Sequence, residues 1–132
     1  VRSYKAGAVK AVHIYLPCNL HEDTPGQFDF HSPGLNLSHL LDLIKQEDMF
    51  AIIRPGPFIN AEFEFGGLPS WLLRDPAMRT RVNYGPYMER VGKYWAEVMK
   101  IVNKHQFVKG KLLVPDFWNL VLKGSNRESL IF

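Results

Sequence analysis

The chain has 132 residues, room for one domain but too few for a closed (β/α)8 barrel, which needs about 250. Its 46% apolar and 13% aromatic shares are those of a chain that packs a core, and they exclude disordered and collagen-like classes. The net charge of +3 conceals an asymmetry: residues 1–66 carry 5 basic and 8 acidic side chains, residues 67–132 carry 11 and 5. A basic half raises nucleic acid as a partner. However, Arg90, Lys93, Lys100 and Lys104 are interspersed with Glu89 and Glu97, the pattern of a solvated helix face, so no nucleic-acid partner is expected. The single cysteine, Cys18, excludes an internal disulfide and a cysteine-based zinc site. No apolar run approaches the roughly 18 residues of a spanning helix, so no membrane partner is expected either. The opening Val1-Arg2-Ser3-Tyr4-Lys5 is not a signal peptide, and the missing initiator methionine fits a processed or truncated product.

Residues 10–16, Lys-Ala-Val-His-Ile-Tyr-Leu, alternate imperfectly and carry β-branched and aromatic side chains, which predicts a strand ended by Pro17. A turn-rich stretch centred on Pro25-Gly26 follows, and Gln27-Phe28-Asp29-Phe30 is expected to add a short extended piece. A helix is expected from about Ser38, because Leu37, Leu40, Leu41 and Ile44 form one stripe at i, i+3, i+4, i+7. Asn36 or Ser38 is its cap, and the stripe faces away from Lys45, Glu47 and Asp48. Met49-Phe50-Ala51-Ile52-Ile53 is a continuous apolar run, the pattern of a parallel strand covered on both faces, and Arg54-Pro55-Gly56-Pro57 ends it. Strand, crossover helix and strand make a βαβ unit, which predicts a parallel pair with a right-handed connection. Further on, Pro69 opens a short helix through Leu73, closed by Asp75-Pro76, and Pro86 opens the longest helix, to about Asn103. Its stripe of Tyr87, Val91, Tyr94 or Trp95, Val98 and Val102 assigns those aromatics to the core rather than to a ligand platform. Beyond His105, Leu112-Leu113-Val114 and Leu120-Val121-Leu122 are each strand-like. The final Leu130-Ile131-Phe132 would leave apolar side chains at a terminus, as in a chain cut short.

Functional groups in α/β barrels sit where strands end and βα loops begin. Two such loops are visible, residues 15–22 and residues 54–67. The second gathers prolines, glycines and aromatics around Glu62 and Glu64. Sugars offer hydroxyls to Asn and Glu and an apolar ring face to aromatic side chains, so the composition is that of a carbohydrate subsite. The same Gly-Pro content is also how a chain makes a tight turn. Other chemistries find no support: the five histidines contain no His-Glu-x-x-His, and His21-Glu22-Asp23 reads as a solvated polar loop rather than a metal site. Gly66-Gly67 lacks the spacing and the lysine of a phosphate-binding loop.

Tyr15 to Glu22, Pro25-Gly26-Gln27-Phe28-Asp29-Phe30, Arg54-Pro55-Gly56-Pro57, and Ala61-Glu62 followed by Gly66-Gly67-Leu68-Pro69-Ser70-Trp71-Leu72-Leu73 form an ordered set. In order and spacing they resemble the glycoside hydrolase family 35 β-galactosidases, most of all the β-galactosidase-1-like animal members. The likeness covers about residues 6–103, leaving 104–132 divergent within a chain that would be one partial catalytic domain. It implies a partial (β/α)8 TIM barrel of class α/β, roughly the second to fourth βα units. The implied activity of the full-length parent is removal of terminal β-linked galactose with retention, without a metal or organic cofactor, in a lysosomal or secreted setting. Carried over by residue, Tyr15 matches the tyrosine lining the galactose pocket. Ala61 and Glu62 match the pair whose backbone and carboxylate hold sugar hydroxyls, and Asn60 stands beside them where many members have cysteine. The implied ligand is a β-galactoside or another small carbohydrate. Cys18 stands where the motif has tryptophan, which removes a large aromatic next to the rim. Arg54 is expected to be structural, placed to pair with a carboxylate under the loop.

A retaining glycosidase needs two carboxyl groups about 5 to 5.5 Å apart across the sugar. The family supplies the acid/base from an Asn-Glu-Tyr motif just after the fourth strand and the nucleophile after the seventh. Here the long helix leads instead to Lys109-Gly110-Lys111-Leu112-Leu113-Val114-Pro115-Asp116-Phe117, so no catalytic residue is assigned. Glu62 and Glu64 would share a face about 7 Å apart on a straight extended segment, but they belong to one loop and not to opposite sides of a sugar. Three readings remain: a fragment or internally deleted form of a β-galactosidase, a non-catalytic carbohydrate-binding or interaction protein using the retained rim, and a product without function of its own. A partial barrel would also be expected to self-associate through its exposed edges.

Overall fold

The computed structural model describes residues 1–105, and its centre is a two-stranded parallel sheet. The order along the chain is helix α1 (Arg2–Ala6), strand β1 (Ala11–Tyr15), a helical turn α2 (Cys18–His21), helix α3 (Leu37–Gln46) and strand β2 (Phe50–Arg54). Two 3-10 segments, Glu64–Gly67 and Ser70–Arg74, then lead to helix α4 (Gly85–Val102). β1 and β2 run in register from Ala11 opposite Phe50 to Tyr15 opposite Arg54. The βα alternation and the open sheet are those of a partial (β/α)8 barrel. The strand-like segments at 112–114 and 120–122 lie outside the described residues.

Each element follows from a local cause. α3 starts where the Asn36 side chain accepts a hydrogen bond from the His39 amide at 2.9 Å, satisfying one of the free N–H groups of a helix start. Its stripe buries Leu37, Leu41 and Ile44 against the sheet, with Leu40 packed at the margin. α4 opens on Gly85-Pro86, where a missing N–H costs nothing, and buries Tyr87, Val91, Tyr94, Val98 and Val102. Tyr94, and not its neighbour Trp95, is the fully buried ring, and its hydroxyl donates to the Leu16 carbonyl at 2.9 Å. The opposite side of α4 is the charged one: Glu89 pairs with Lys93 and Glu97 with Lys100 within the helix, while the Arg90 guanidinium lies 5.5 Å from the Trp71 ring centre. Buried His105 ties the end of α4 to α3, through Ser38 Oγ at 3.2 Å and Asp42 at 3.7 Å.

Several details depart from the sequence reading. β2 is covered on one face only among the described residues: Ala51 and Ile53 are buried while Phe50 and Ile52 are exposed. A continuous apolar run reports that both faces are apolar, and only the helix-facing one finds its cover here. Residues 27–30 form no strand; a single bridge joins Thr24 to Gln27 around Pro25-Gly26. The segment after Pro69 is a 3-10 helix. α1 and α2 lacked any sequence signal, since α1 buries nothing and α2 is a single turn. α1 is held by Arg2, which bonds Glu47 at 3.0 Å, and by Lys5, which donates to the Asp48 carbonyl at 3.1 Å.

Candidate functional site

Both loops of interest leave the sheet at its C-terminal end, after Tyr15 and after Arg54, which are opposite one another in the ladder. They then pack together. Gly67 has φ +79°, and an added Cβ there would sit 3.4 Å from Pro17, so the backbones of the two loops meet at a residue without a side chain. Gly66 has φ +61°, and a Cβ there would fall 2.1 Å from the Phe58 ring, over which the Arg81 guanidinium lies at 4.2 Å. The indole of Trp95 on α4 donates to the Gly56 carbonyl at 2.9 Å and fixes the loop's start.

Within this frame Tyr15 is exposed at the strand end. Arg54 lies over its ring at 5.3 Å. His13, two residues earlier on the same face, has its ring 5.2 Å from that of Tyr15. Asn60 and Glu62 are exposed and Ala61 is half-buried, on a segment coiled by short-range bonds. The Ala61 amide donates to Ile59 O, and the Phe63 amide donates to Ala61 O, both at 2.8 Å. Glu62 is thus the apex of a tight turn. The straight segment on which Glu62 and Glu64 would share a face is absent, because a 3-10 segment begins at Glu64 and Phe65 turns into the left-handed region at φ 50°. Phe63 joins the second loop to the end of β1: its ring stands edge-on to Tyr15 at 6.3 Å and 74°. The sequence reading noted the loop's aromatics without singling out this one; its position next to Glu62 was the available signal.

Behind the rim lies a polar cluster with a structural role. Glu22 is only 2% exposed; its carboxylate accepts from the Gly26 amide at 2.8 Å and faces the Cys18 thiol at 3.8 Å. Its backbone carbonyl accepts from the Trp71 indole at 2.9 Å. Burial pushes the Glu22 carboxyl above its ordinary range, partly offset by the Gly26 amide, Cys18, Arg90 and Lys93. Burial, then the Glu22 charge, pushes the Cys18 thiol far up, which leaves it un-ionised and no nucleophile. His21 is buried and stacked on Phe30 at 4.3 Å, with Nδ1 against the Asp29 carbonyl at 2.8 Å, and burial lowers its pKa. Asp29 drops to about 2 through hydrogen bonds from Ser32 and then His31. The solvated polar loop expected at His21-Glu22-Asp23 is therefore buried at its first two residues. Among the described residues no group of three or more His, Cys, Asp or Glu could hold a metal ion. No described helix is long and apolar enough to cross a membrane.

A groove of about 470 Å³ runs beside β1, lined by Ile14, Tyr15, Leu16 and His21 and by part of the stretch from His31 to Leu43 in the following loop and α3. Its walls mix aliphatic side chains with His21, His31 and His39, and it includes none of Asn60, Ala61 and Glu62.

Comparison with known proteins decides the lineage of this rim. The sequence profile described as Glycosyl hydrolases family 35 matches residues 1–114. The chain belongs to that family. It is 41% identical over 106 residues to human Beta-galactosidase-1-like protein 2, covering 80% of this chain and 16% of the relative. It is 36% identical over 95 residues to Beta-galactosidase of Mus musculus, covering 72% of this chain and 14% of that protein. Probable beta-galactosidase B of Sclerotinia sclerotiorum is 33% identical over 110 residues, covering 83% and 11%. The chain thus spans about a sixth or less of the length of these family members.

Proposed function

We propose that this chain carries one sector of the galactose-binding rim of a β-galactoside hydrolase, with Tyr15, Asn60, Ala61 and Glu62 as its sugar-facing residues. The observation that carries this reading is the meeting of the two βα loops at one end of the sheet, with Tyr15 in contact with Phe63 and Glu62 exposed at the apex between Ala61 and Phe63. Exposed hydrogen-bonding groups beside an aromatic surface are what a sugar requires. The full-length parent hydrolyses terminal β-galactosides with retention and resides in a lysosomal or secreted compartment; both statements rest on membership of the family and not on a feature of this sector.

The chain by itself binds weakly and does not turn over. Hydroxyl contacts lower substrate and transition state together, whereas acceleration needs groups that act only in the transition state. Glu62 and Glu64 occupy one loop on one side of the rim and cannot flank an anomeric carbon. Loss of a general acid alone costs about 10²- to 10⁴-fold, and without a nucleophile the two-step retaining route is closed. The test is long incubation of pure recombinant chain with a chromogenic β-galactoside beside a Glu62→Gln control. No release in either sample is expected. Steady turnover abolished by Glu62→Gln would make Glu62 catalytic and overturn the reading.

A further inference from the structure

We propose that Phe63 is a specificity-determining residue of this rim, its ring forming with Tyr15 an aromatic corner that receives the C–H face of galactose. The inference rests on the sugar-binding reading above and adds to it a residue and a means of discrimination. Three features support it. The Phe63 ring stands at 74° to Tyr15 with centres 6.3 Å apart, so the two rings form a corner and not a flat stack. Tyr15 is held on the sheet, by Arg54 of β2 over its ring at 5.3 Å and by His13 of β1 at 5.2 Å, so this half of the corner is fixed before a ligand arrives. Phe63 is held through its backbone: its amide donates to Ala61 O at 2.8 Å, and its carbonyl accepts from the Gly66 amide at 3.0 Å. The first of those bonds closes the turn that presents Glu62, so ring and carboxylate are set by one backbone geometry.

The chemistry selects the sugar. In β-galactose the axial 4-hydroxyl leaves the hydrogens on carbons 3, 4 and 5 as one continuous apolar patch on the opposite face. In β-glucose the equatorial 4-hydroxyl interrupts that patch. An aromatic corner bordered by a carboxylate offers apolar surface to the patch and an acceptor to the hydroxyls at its border. Phe63 therefore discriminates by epimer, whereas a residue that only braced the loop would alter the affinity for both epimers alike.

The experiment is an NMR titration of the labelled full chain with methyl β-galactoside and, separately, methyl β-glucoside, for wild type, Phe63→Leu, Phe63→Trp and Glu62→Gln. Wild type is expected to favour the galactoside. Phe63→Leu should keep the loop's apolar anchor but reduce that preference roughly two- to tenfold, the size of one aromatic contact. Phe63→Trp should keep or raise it. Glu62→Gln should weaken both sugars. An unchanged preference in Phe63→Leu, with Glu62→Gln still weakening binding, overturns this inference and leaves the sugar-binding reading intact. Wild type that binds neither glycoside overturns both. Should Phe63→Leu give a spectrum of an unfolded chain, Phe63→Trp decides, and a lost preference there overturns the proposal.

Discussion

On the helix-facing side of the sheet Ile14, Ala51 and Ile53 are 8%, 0% and 8% exposed; on the other side Tyr15, Phe50 and Ile52 are 39%, 44% and 38% exposed. The strands are the same, and successive residues differ only in direction. The buried face is completed within the described residues by Leu41 and Ile44 of α3 and Tyr94 and Val98 of α4. The exposed face carries Phe50 and Ile52 beside His13, and the candidate site lies at its end. In a (β/α)8 barrel the inward side chains pack in layers supplied by several strands, and two described strands cannot build such layers. One face therefore carries stability, and the other is the one on which the proposed site lies.

The largest effect should come from the helix-facing side. Tyr94→Ala removes a wholly buried ring and its bond to Leu16 O, and should cost about 3–5 kcal/mol in denaturant unfolding. Tyr94→Phe keeps the ring and strands the carbonyl, at about 1–3 kcal/mol. A cost near zero for both would mean that the two sides are not so unequal. Gly66→Ala comes next. It forces an alanine into the left-handed region and drives its methyl into Phe58, so a loss of about 1–3 kcal/mol is expected, with shifts in the NMR signals of the rim.

On the open side Ile52→Glu should change unfolding stability by no more than about 0.5 kcal/mol. Its effect should instead appear as reduced self-association in light scattering, because it places a charge beside exposed Phe50 on the open sheet face. A strongly destabilised Ile52→Glu monomer would show that this face is already covered.

The smallest effect concerns pH. The folded Glu22 pKa is raised above 4.5, so its contribution to stability is present below pH 4.5 and lost as the pH rises through the raised value. Glu22→Gln keeps an acceptor for the Gly26 amide without the buried charge. It should unfold at a higher midpoint than wild type at pH 7, and the difference should shrink toward pH 4. His21 acts in the opposite sense: its lowered pKa makes its contribution present above 6.5 and lost as the pH falls. A Glu22→Gln protein less stable than wild type at pH 7 would show that Arg90 and Lys93 outweigh burial.

The βαβ unit was legible because hydrophobic period is a one-dimensional signal. The stripes of α3 and α4 and the apolar runs of β1 and β2 appear in the structure within two residues of their expected bounds. The two loops were legible as loops, since proline and glycine limit the backbone wherever they occur. Tertiary structure decided the rest. Ordering by neighbours placed α1, whose helix is exposed and held by Glu47 and Asp48 from elsewhere in the chain. It also decided that Tyr94 rather than Trp95 fills the core, a choice between adjacent residues one hundred degrees apart on a helix. It buried His21 and Glu22, polar residues whose partners Asp29, Gly26 and Cys18 lie near in sequence but become available only once the intervening turn closes. Finally it set Phe63 against Tyr15, residues 48 positions apart. No periodicity encodes such a contact, because it depends on Gly66 and Gly67 letting one loop settle against Phe58 and Pro17.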